Sequence, residues 1–343
     1  MKFVQLTTSE FNDYSKTSSV SSIFQTDSWA KLKSNWEAYT VGVKENEEII
    51  AACLILCRSV PMGFRFAYAP RGPLLDFSNE LLLSFFMKQI KQFLKNKKVL
   101  LAKFDPNLLL DAIPFEDKDK VSSIVNDSLI DKFTHAGLKH CGYTFAIKDT
   151  IQPRIQLAFP IDDAIEDRIG SKTMKKVRAS YKKEVIIKQE NDSKSLVQMV
   201  HCTEQRHQIK LRNENYFNTI LNAFKDDAIV LAGYHEDQLI SACLLVKCNQ
   251  TTEILYSGYD DAFKHFNSTY PLRYESIQWA KQHGCKEFSF GGVEGTLDDG
   301  LTMFKSSFHP LIHIFVGEFD MLPYPILSKC TQLVYPYLKK YVI

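Results

Sequence analysis

The stretch AYTVGVKENEEIIAACLILC, residues 38–57, begins with a segment in which apolar and polar residues alternate and ends with an apolar run. A polar turn lies between the two. Both flanking segments have the composition of strands, and the polar residues between them suit a tight turn. The next segments are strand-like from Phe64 to Ala69, helical in their apolar spacing from Leu81 to Phe93, and strand-like from Val99 to Phe104. The order predicts a hairpin, a strand, a helix and a strand.

The same order of elements returns about 190 residues later. Residues 228–246, AIVLAGYHEDQLISACLLV, have the form of a second hairpin. The segments that follow it are a strand at Ile254 to Tyr259, a helix at Ser268 to His283 and a strand at Glu287 to Phe290. Two copies of one unit predict an internal duplication, with two similar domains of the α/β class built on mixed sheets. A chance agreement of two common patterns is the alternative.

The crossing between the two units is expected at Ile151-Gln152-Pro153, because proline interrupts a helix and a new strand, Arg154 to Phe159, follows. Beyond the second unit, Leu311 to Phe319 is predicted as a strand and Tyr324 to Tyr341 as an apolar helix that packs back on the first domain. We therefore expect a first domain of residues 1–150 plus 320–343 and a second of 151–319.

Composition excludes several classes of protein. With 45% apolar and 24% charged residues among 343, the chain has the balance of a globular protein of about two domains. Its longest apolar run, Ile49 to Cys57, is about half of the ~20 residues that cross a bilayer, and the N-terminus lacks a secretory signal, so we expect a cytoplasmic protein. The cysteines form no C-x-x-C pair, and we expect no metal site.

A net charge of only +2 means that a nucleic acid partner must be met by a local patch. Residues 171–188 hold seven basic side chains and one acid, and a helix there would bury Met174, Val177 and Tyr181 on one face. The lysines on the other faces suit a polyphosphate backbone such as RNA. An acidic membrane surface and a merely solvated face are the alternatives.

A second segment that could bind a ligand or take part in catalysis follows the last strand of the second unit. Gly291-Gly292 ends that strand, and Leu301, Phe304 and Phe308 predict a short amphipathic helix beyond it. Paired glycines let a ligand approach the backbone closely, and Lys305 on the helix could reach the same cleft. Gly-Gly turns and exposed helix lysines are both common, so the segment alone is weak support for a site.

Several short motifs resemble those of the Fem family of bacterial peptidoglycan-bridge aminoacyltransferases, and they occur in the family's order over nearly the whole chain. They are QTDSWAKLK (25–33), YAPRGP (68–73), FDP (104–106), QPR (152–154), the basic segment from Lys172, and FGGVEG (290–295) followed by Phe304-Lys305. The resemblance implies two GNAT-like domains, in agreement with the internal repeat.

Family members transfer an amino acid from aminoacyl-tRNA to an amine in the stem peptide of a cell-wall precursor, without a metal or another cofactor. Long members carry a coiled-coil arm in the second domain, but only thirteen residues separate Tyr216 from Val230 here. The chain thus resembles the short, armless FemX type, for which we expect a monomer. The acceptor would be a UDP-linked or a lipid-linked precursor.

The resemblance also implies residue roles: Lys33 is placed by the motif WAKLK (29–33), and Arg212 by its position before Tyr216-Phe217. Lys33 and Arg212 would hold the diphosphate of the acceptor, because Arg and Lys are the usual phosphate ligands. Tyr216 would contact the nucleotide and Tyr256 the peptide stem, with packing in the core as the alternative for both. Four lysines would contact the tRNA: Lys172, Lys175, Lys176 and Lys183.

For the reaction itself, Lys305 would stabilise the oxyanion of the tetrahedral intermediate. Phe304 would shape the acyl end of the tRNA, or else pack in the core. An amine of pKa about 10.4 is mostly protonated at pH 7, so a base or a path through the substrate's own hydroxyl is needed. Asp105 is the family-matched carboxylate for this role, but an aspartate before Pro106 is also a common turn former.

Two other functions stay open from the residues. An acyl-CoA-dependent GNAT-type N-acyltransferase would share the domain unit, although the pyrophosphate loop usual in that class is absent from this sequence. A non-catalytic tRNA- or precursor-binding protein would keep the basic patch and make Lys305 dispensable. The donor amino acid and the bridge position that receives it leave no mark in the sequence, because the acyl pockets differ by a methyl or a hydroxyl.

Overall fold

A computed structural model describes residues 1–145, 149–208 and 211–324. Within these ranges the strands are β1 (Lys2–Gln5), β2 (Glu37–Glu45), β3 (Glu48–Val60), β4 (Phe64–Ala69), β5 (Leu74–Leu75), β6 (Val99–Phe104), β7 (Leu109–Pro114), β8 (Lys139–His140), β9 (Ile155–Pro160), β10 (Ile186–Glu190), β11 (Ala228–His235), β12 (Gln238–Cys248), β13 (Thr251–Tyr259), β14 (Glu287–Gly292), β15 (Leu311–Phe315) and β16 (Phe319–Met321). The helices are α1 (Thr8–Thr17), α2 (Asp27–Leu32), α3 (Glu80–Asn96), α4 (Asp127–His135), α5 (Ile165–Ile169), α6 (Ser171–Tyr181), α7 (Lys194–His207), α8 (Glu214–Phe224), α9 (Thr269–Gln282) and α10 (Gly300–Ser306).

The predicted duplication is confirmed. The first unit is β2-β3-β4-α3-β6 and the second is β11-β12-β13-α9-β14. In each unit the first three strands are antiparallel, and the strand after the helix pairs in parallel with the strand before it. A parallel neighbour needs a crossover connection, which α3 and α9 supply. The fold is therefore of the expected α/β class with two mixed sheets.

The two sheets exchange strands. The first has the order β1-β2-β3-β4-β6-β16-β8 with β5 beside β3, and the second has the order β10-β11-β12-β13-β14-β9-β15-β7. Thus β7, early in the chain, closes the edge of the second sheet, and β16, late in the chain, lies inside the first. The division at residues 150 and 320 stays a prediction. Strand β7 crosses it, because residues 109–114 pair in the second sheet, whereas β16 lies where the chain was expected to return to the first domain.

Two further expectations differ from the structure in detail. The single strand expected over Leu311 to Phe319 is two strands, because the chain turns at Gly317 (φ 97°) and passes from the second sheet to the first. Leu81, expected on the apolar face of α3, is 78% exposed. The helix expected from Tyr324 to Tyr341 lies outside the described residues, apart from Tyr324. Among the helices described, none is both long and apolar enough to span a bilayer.

A buried apolar layer joins the two halves. Leu54 and Leu56 on β3 pack in one cluster with Leu244 and Val246 on β12 and with Phe217 on α8. The alternate residues of β3, such as Cys53 and Ile55, lie in the core between the first sheet and α3. The strand is therefore buried on both faces, which explains its continuous apolar run. Because one cluster draws on both halves, each half depends on the other for its burial.

Helix α7 lies close against β13 at Gly258. A Cβ at this position would overlap the backbone carbonyl of Met199 on the helix. The contact is with backbone, so a side chain here can be accommodated only by moving the helix from the sheet. Glycine is thus required by close packing rather than by its backbone angles.

We expect Gly258→Ala to lower the free energy of unfolding by about 1 to 3 kcal/mol, the usual cost of overpacking. Urea denaturation measures it. Gly295→Ala is the matched control, because an added Cβ there meets no atom within 4 Å, and we expect a change within about 0.5 kcal/mol. Equal stabilities of the two variants would show that α7 does not press on β13.

Candidate functional site

A cleft of about 460 Å³ lies between the two halves of the molecule. Its walls come from α2 and the end of β4 on one side, and from β13, β14, α9 and α10 on the other. The sequence-predicted residues that line it are Lys33, Arg212, Tyr216, Tyr256 and Lys305. The other predicted residues, Asp105, Phe304 and the four lysines of the basic segment, lie elsewhere.

Lys33 is placed by the short helix α2. The side chain of Thr26 caps that helix by accepting a hydrogen bond from the Trp29 N–H, and Lys33 follows its last residue. The lysine Nζ lies 4.8 Å from the centre of the Trp29 ring and 5.8 Å from that of Tyr216. Burial, together with the positive charge of Arg212, lowers the pKa of Lys33 to about 8.

Arg212 stands just before α8, which Asn213 caps. Its guanidinium lies 5.2 Å from the centre of the Tyr216 ring, and Tyr216 meets Tyr256 edge to face at 6.2 Å. Burial and the neighbouring Tyr256 raise the pKa of Tyr216. In the described part of the chain neither Lys33 nor Arg212 has a carboxylate within ion-pair distance, so this end of the cleft attracts an anion.

Lys305 is held at the other end of the cleft by the strand-glycine-helix segment that the sequence singled out. Gly291 has a φ of 77°, which favours glycine, and a Cβ on Gly292 would overlap the ring of Pro153. The chain then reaches α10, where Lys305 is 8% exposed and its Nζ donates to the Gly292 carbonyl at 2.8 Å. Burial lowers its pKa to about 8, with a contribution from Arg273.

Arg273 on α9 is a cleft residue that the sequence did not single out. It is 6% exposed, and its Nη2 donates to the Ser257 hydroxyl at 2.9 Å. Its Nη1 has no hydrogen-bond partner among the described residues, and burial lowers its pKa. An arginine on the buried face of a helix, beside Leu272 and Ile277, was the available signal.

Asp105 is close to the cleft but does not line it. It is 2% exposed, and its two carboxylate oxygens accept from the Arg71 N–H at 2.8 Å and from the Tyr68 hydroxyl at 3.1 Å. Burial raises its pKa to about 7, although Arg71 opposes that shift. Tyr68, not Asp105, reaches the cleft. The carboxylate therefore holds Tyr68 and the turn at Arg71 in place.

Phe304 packs beside the cleft without lining it. Its ring lies 5.1 Å from that of Tyr270 and 5.8 Å from that of Phe308, both edge to face. The side chain is half-buried, and the guanidinium of Arg273 lies 5.9 Å from its centre. Phe304 thus connects the buried end of α10 to α9.

The basic segment forms α6 and the start of β10, beside the helix that carries Lys305. Lys172 and Lys175 are exposed, whereas Lys176 donates to the Tyr270 hydroxyl and Lys183 to the His265 carbonyl, both at 2.6 Å. The expected burial of Met174 and Val177 is confirmed.

Tyr181, expected in the same apolar stripe of α6, is 37% exposed and bonds to Glu275; Thr173 and Ser180 are buried instead. The Thr173 hydroxyl donates to the Ser307 carbonyl at 2.6 Å. Because Ser307 caps α10, this contact anchors α6 to the end of that helix.

Comparison with known proteins agrees with the family resemblance seen in the sequence motifs. A sequence model of the FemAB family matches residues 6–236 and 230–336. Aminoacyltransferase FemA of Staphylococcus aureus (strain bovine RF122 / ET3-1) is 24% identical over 420 aligned positions that cover 99% of each chain. Because this chain has 343 residues, at least 77 of those positions face gaps here.

Solved structures show the fold. The crystal structure of FemX superposes with a TM-score of 0.83 at 20% identity, over 96% of this chain and 99% of that one. A tandem GNAT protein from the clavulanic acid biosynthesis pathway superposes with a TM-score of 0.54 at 8% identity, over 94% and 99%. The expected pair of GNAT-like domains is thereby confirmed. With the family model covering nearly its whole length, the chain is an acyltransferase of the FemAB family.

Proposed function

We propose that this enzyme transfers an amino acid from aminoacyl-tRNA to the stem-peptide amine of a peptidoglycan precursor and so builds an interpeptide bridge. The observation that carries the proposal is the cleft, where Lys33, Arg212 and Lys305 are gathered with no carboxylate at ion-pair distance in the described residues. Three such cations suit a substrate with a diphosphate at one end and a developing oxyanion at the other. The proposal places the reaction in the cytoplasm, where charged tRNA is made.

The acceptor would bind along the α2 side of the cleft. Lys33 supplies a point charge and Arg212 a planar fork, and together they match the oxygens of a diphosphate, which both UDP-linked and lipid-linked precursors carry. Tyr216 and Tyr256 continue the wall beyond the two cations. Their rings and hydroxyls would contact the sugar and the peptide stem, which leads the acceptor amine toward Lys305.

The donor would approach over α6. Lys172 and Lys175 are exposed there, and the Thr173–Ser307 contact fixes their helix to α10. A strand of phosphates bound on α6 is thus led to the helix that carries Phe304 and Lys305. Phe304, half-buried beside Tyr270, would pack against the acyl end of the tRNA.

The reaction converts an ester into an amide and needs no covalent enzyme intermediate. Attack of the amine on the ester carbonyl places a negative charge on the carbonyl oxygen. Lys305, positioned by the Gly292 carbonyl and itself only 8% exposed, would stabilise that charge. Asp105 would act by positioning Tyr68, which lines the cleft, and the turn at Arg71 beside it.

An acyl-CoA-dependent N-acyltransferase is the second candidate, because a tandem GNAT protein shares the two-domain arrangement. The two functions are separated by supplying the purified protein and a stem-peptide precursor with either charged tRNA or acetyl-CoA. Transfer from charged tRNA alone is the expected result. Transfer from acetyl-CoA alone would overturn the proposal.

We expect Lys305→Ala to lower kcat by about 10²- to 10³-fold while leaving the affinity for the acceptor unchanged, because the contact is made in the transition state. Single-turnover transfer and calorimetry measure the two quantities. Met303→Ala, an exposed position on the same helix, should transfer at the wild-type rate. Loss of acceptor affinity in Lys305→Ala would make Lys305 a binding residue instead.

The same assignment has a pH signature. The pKa of Lys305 is lowered to about 8, and the charged form is the one that stabilises an oxyanion. Wild-type kcat should therefore fall as pH rises above about 8. Lys305→Arg should keep this charge at all those pH values and lose the alkaline decline, although its planar group fits poorly and its rate is lower.

We expect Lys33→Ala and Arg212→Ala each to raise the KM for the acceptor by about 10- to 100-fold, in line with the loss of one charge-assisted hydrogen bond. Neither change should lower the melting temperature, because neither cation has a carboxylate partner within the described residues. The control is Lys31→Ala on the same helix, whose lysine is exposed and paired with Asp27. An unchanged KM with a lower melting temperature would make the two residues structural.

We expect the double variant Lys172→Ala/Lys175→Ala to weaken binding of aminoacyl-tRNA and to flatten its dependence on salt, since fewer counterions are released. Replacing Lys176 and Lys183 should add less, because their ammonium groups are already bonded within the protein. Lys88→Ala/Lys91→Ala on α3 is the control. An unchanged salt slope, with binding to anionic vesicles lost instead, would make α6 a membrane contact.

A further inference from the structure

A small polar cavity of about 60 Å³ lies directly behind the cleft, between the second sheet and the segment 21–24 of the first half. Its titratable and polar walls include Arg71, Gln156, Glu253, Glu287, Ser289 and His313. Of the residues described, only Phe24 and Glu253 line both the cavity and the cleft. Glu253 therefore stands in the partition between the two spaces, and the cavity is large enough for water.

The position of Glu253 follows from the way β13 and β14 part. The two strands pair in parallel from Thr251–Glu287 to Glu253–Ser289 and no further, although each strand continues beyond that point. The corresponding strands of the first sheet, β4 and β6, stay paired to their last residues. The cleft is lined by the separated ends of β13 and β14. Glu253 thus lies at the apex of the split.

The sheet face beneath the cavity is polar where burial would favour apolar residues. Thr251 and Glu253 alternate on β13, and their register partners Glu287 and Ser289 alternate on β14. On the same sheet, two strands along from β14, the Nε2 of His313 on β15 lies 3.5 Å from the Glu287 carboxylate. Burying this row of polar side chains costs free energy, and polar side chains gain little from packing in return. A purely structural role therefore explains the row poorly.

The Glu253 carboxylate has no hydrogen-bond donor and no ion-pair partner within the described ranges. Burial raises its pKa to about 7, and Arg71 opposes that shift. Burial also raises the pKa of Glu287 to about 7 and lowers that of His313 to about 4. Asp105 differs, because its two oxygens are engaged by Tyr68 and Arg71.

We propose that Glu253 is the general base of the transfer reaction, and that the polar cavity behind it carries the released proton to Glu287. This inference rests on the proposed function. The acceptor amine arrives as an ammonium ion, and Glu253 removes one proton. The neutral nitrogen then forms its bond to the ester carbon, the bond from that carbon to the ribose oxygen breaks, and a second nitrogen proton passes to the ribose oxygen.

The proton balance closes with one proton released to solvent in each turnover. It leaves Glu253 through water in the cavity to Glu287, whose side chain is 33% exposed. Lys305 lines the same cleft as Glu253, so one residue can meet the carbonyl oxygen while the other meets the amine. The charged and titratable groups that line the cavity with Glu253 are Arg71, Cys248, Glu287 and His313. Those that line the cleft with it are Lys33, Tyr68, Arg212, Tyr216, Tyr256, Arg273 and Lys305.

The test compares Glu253→Gln with the wild type over pH 6 to 9, using single-turnover transfer. We expect a loss of about 10²-fold at pH 7. The ratio of the two rates should shrink at least tenfold by pH 9, because the neutral fraction of the free amine rises about tenfold per pH unit below its pKa. Taking the ratio cancels the alkaline decline from Lys305. Acceptor affinity should be unchanged.

Two variants sharpen the comparison. Glu287→Gln should lower the rate less than tenfold, since it interrupts only the route by which the proton leaves Glu253 for solvent. Asp105→Asn, which loosens Tyr68 and the turn, should lower the rate by a factor that is constant above pH 8, where the Asp105 carboxyl of pKa about 7 is already ionised. If Glu253→Gln does not fold, Glu253→Asp replaces it, and a wild-type rate with a wild-type pH profile in that variant would overturn the proposal.

A Glu253→Gln rate within threefold of the wild type at pH 7, or a loss that is constant over pH, would also overturn it. Failure of the proposed function looks different: the wild-type enzyme would then transfer nothing from charged tRNA and would use acetyl-CoA. In that case the same pH series in the acetyl-CoA assay still decides whether Glu253 is the base.

Discussion

The parting of β13 from β14 is the constraint on which the site depends. Parallel strands normally pair to their ends, as β4 and β6 do, but β13 and β14 stay together for three residues only. A register shift between β12 and β13 and the two glycines at the end of β14 let the strands diverge. The separated ends of both strands line the cleft, and residues of the first half supply its opposite wall.

The cations of the cleft have no ion-pair partner among the described residues. Lys33, Lys305 and Arg273 are desolvated by the surrounding protein, and their pKa values are lowered for that reason. Placing cations this way destabilises the empty protein, and the apolar cluster that joins β3 to β12 offsets the cost. An anionic substrate supplies the missing charges, so binding energy and folding energy are coupled at this site. The cations are thus already in position when an anionic substrate binds.

The local pattern was enough to predict the hairpins, the crossover helices and their repetition, because the spacing of apolar residues that marks a strand or a helix involves only neighbouring residues. The resemblance of short motifs placed Lys33, Arg212, Tyr216, Tyr256 and Lys305, which the structure gathers in one cleft. The return of the chain to the first domain near residue 320 was expected, but the crossing of β7 to the second sheet was not predictable, since it depends on pairing between distant segments. Glu253 and Arg273 were missed because a charged residue within a strand or helix pattern is ordinarily a solvent-facing one.

The path of the chain through β15 and β16 has a mechanical consequence. One continuous segment leaves the second sheet, turns at Gly317 and enters the first, while β7 makes the opposite passage. The halves are joined at both crossings, and the apolar cluster of β3, β12 and α8 packs between them, so moving them wide apart would expose that cluster to water. This packing limits how far the cleft can widen, so we expect a long substrate to enter along the boundary between the two halves.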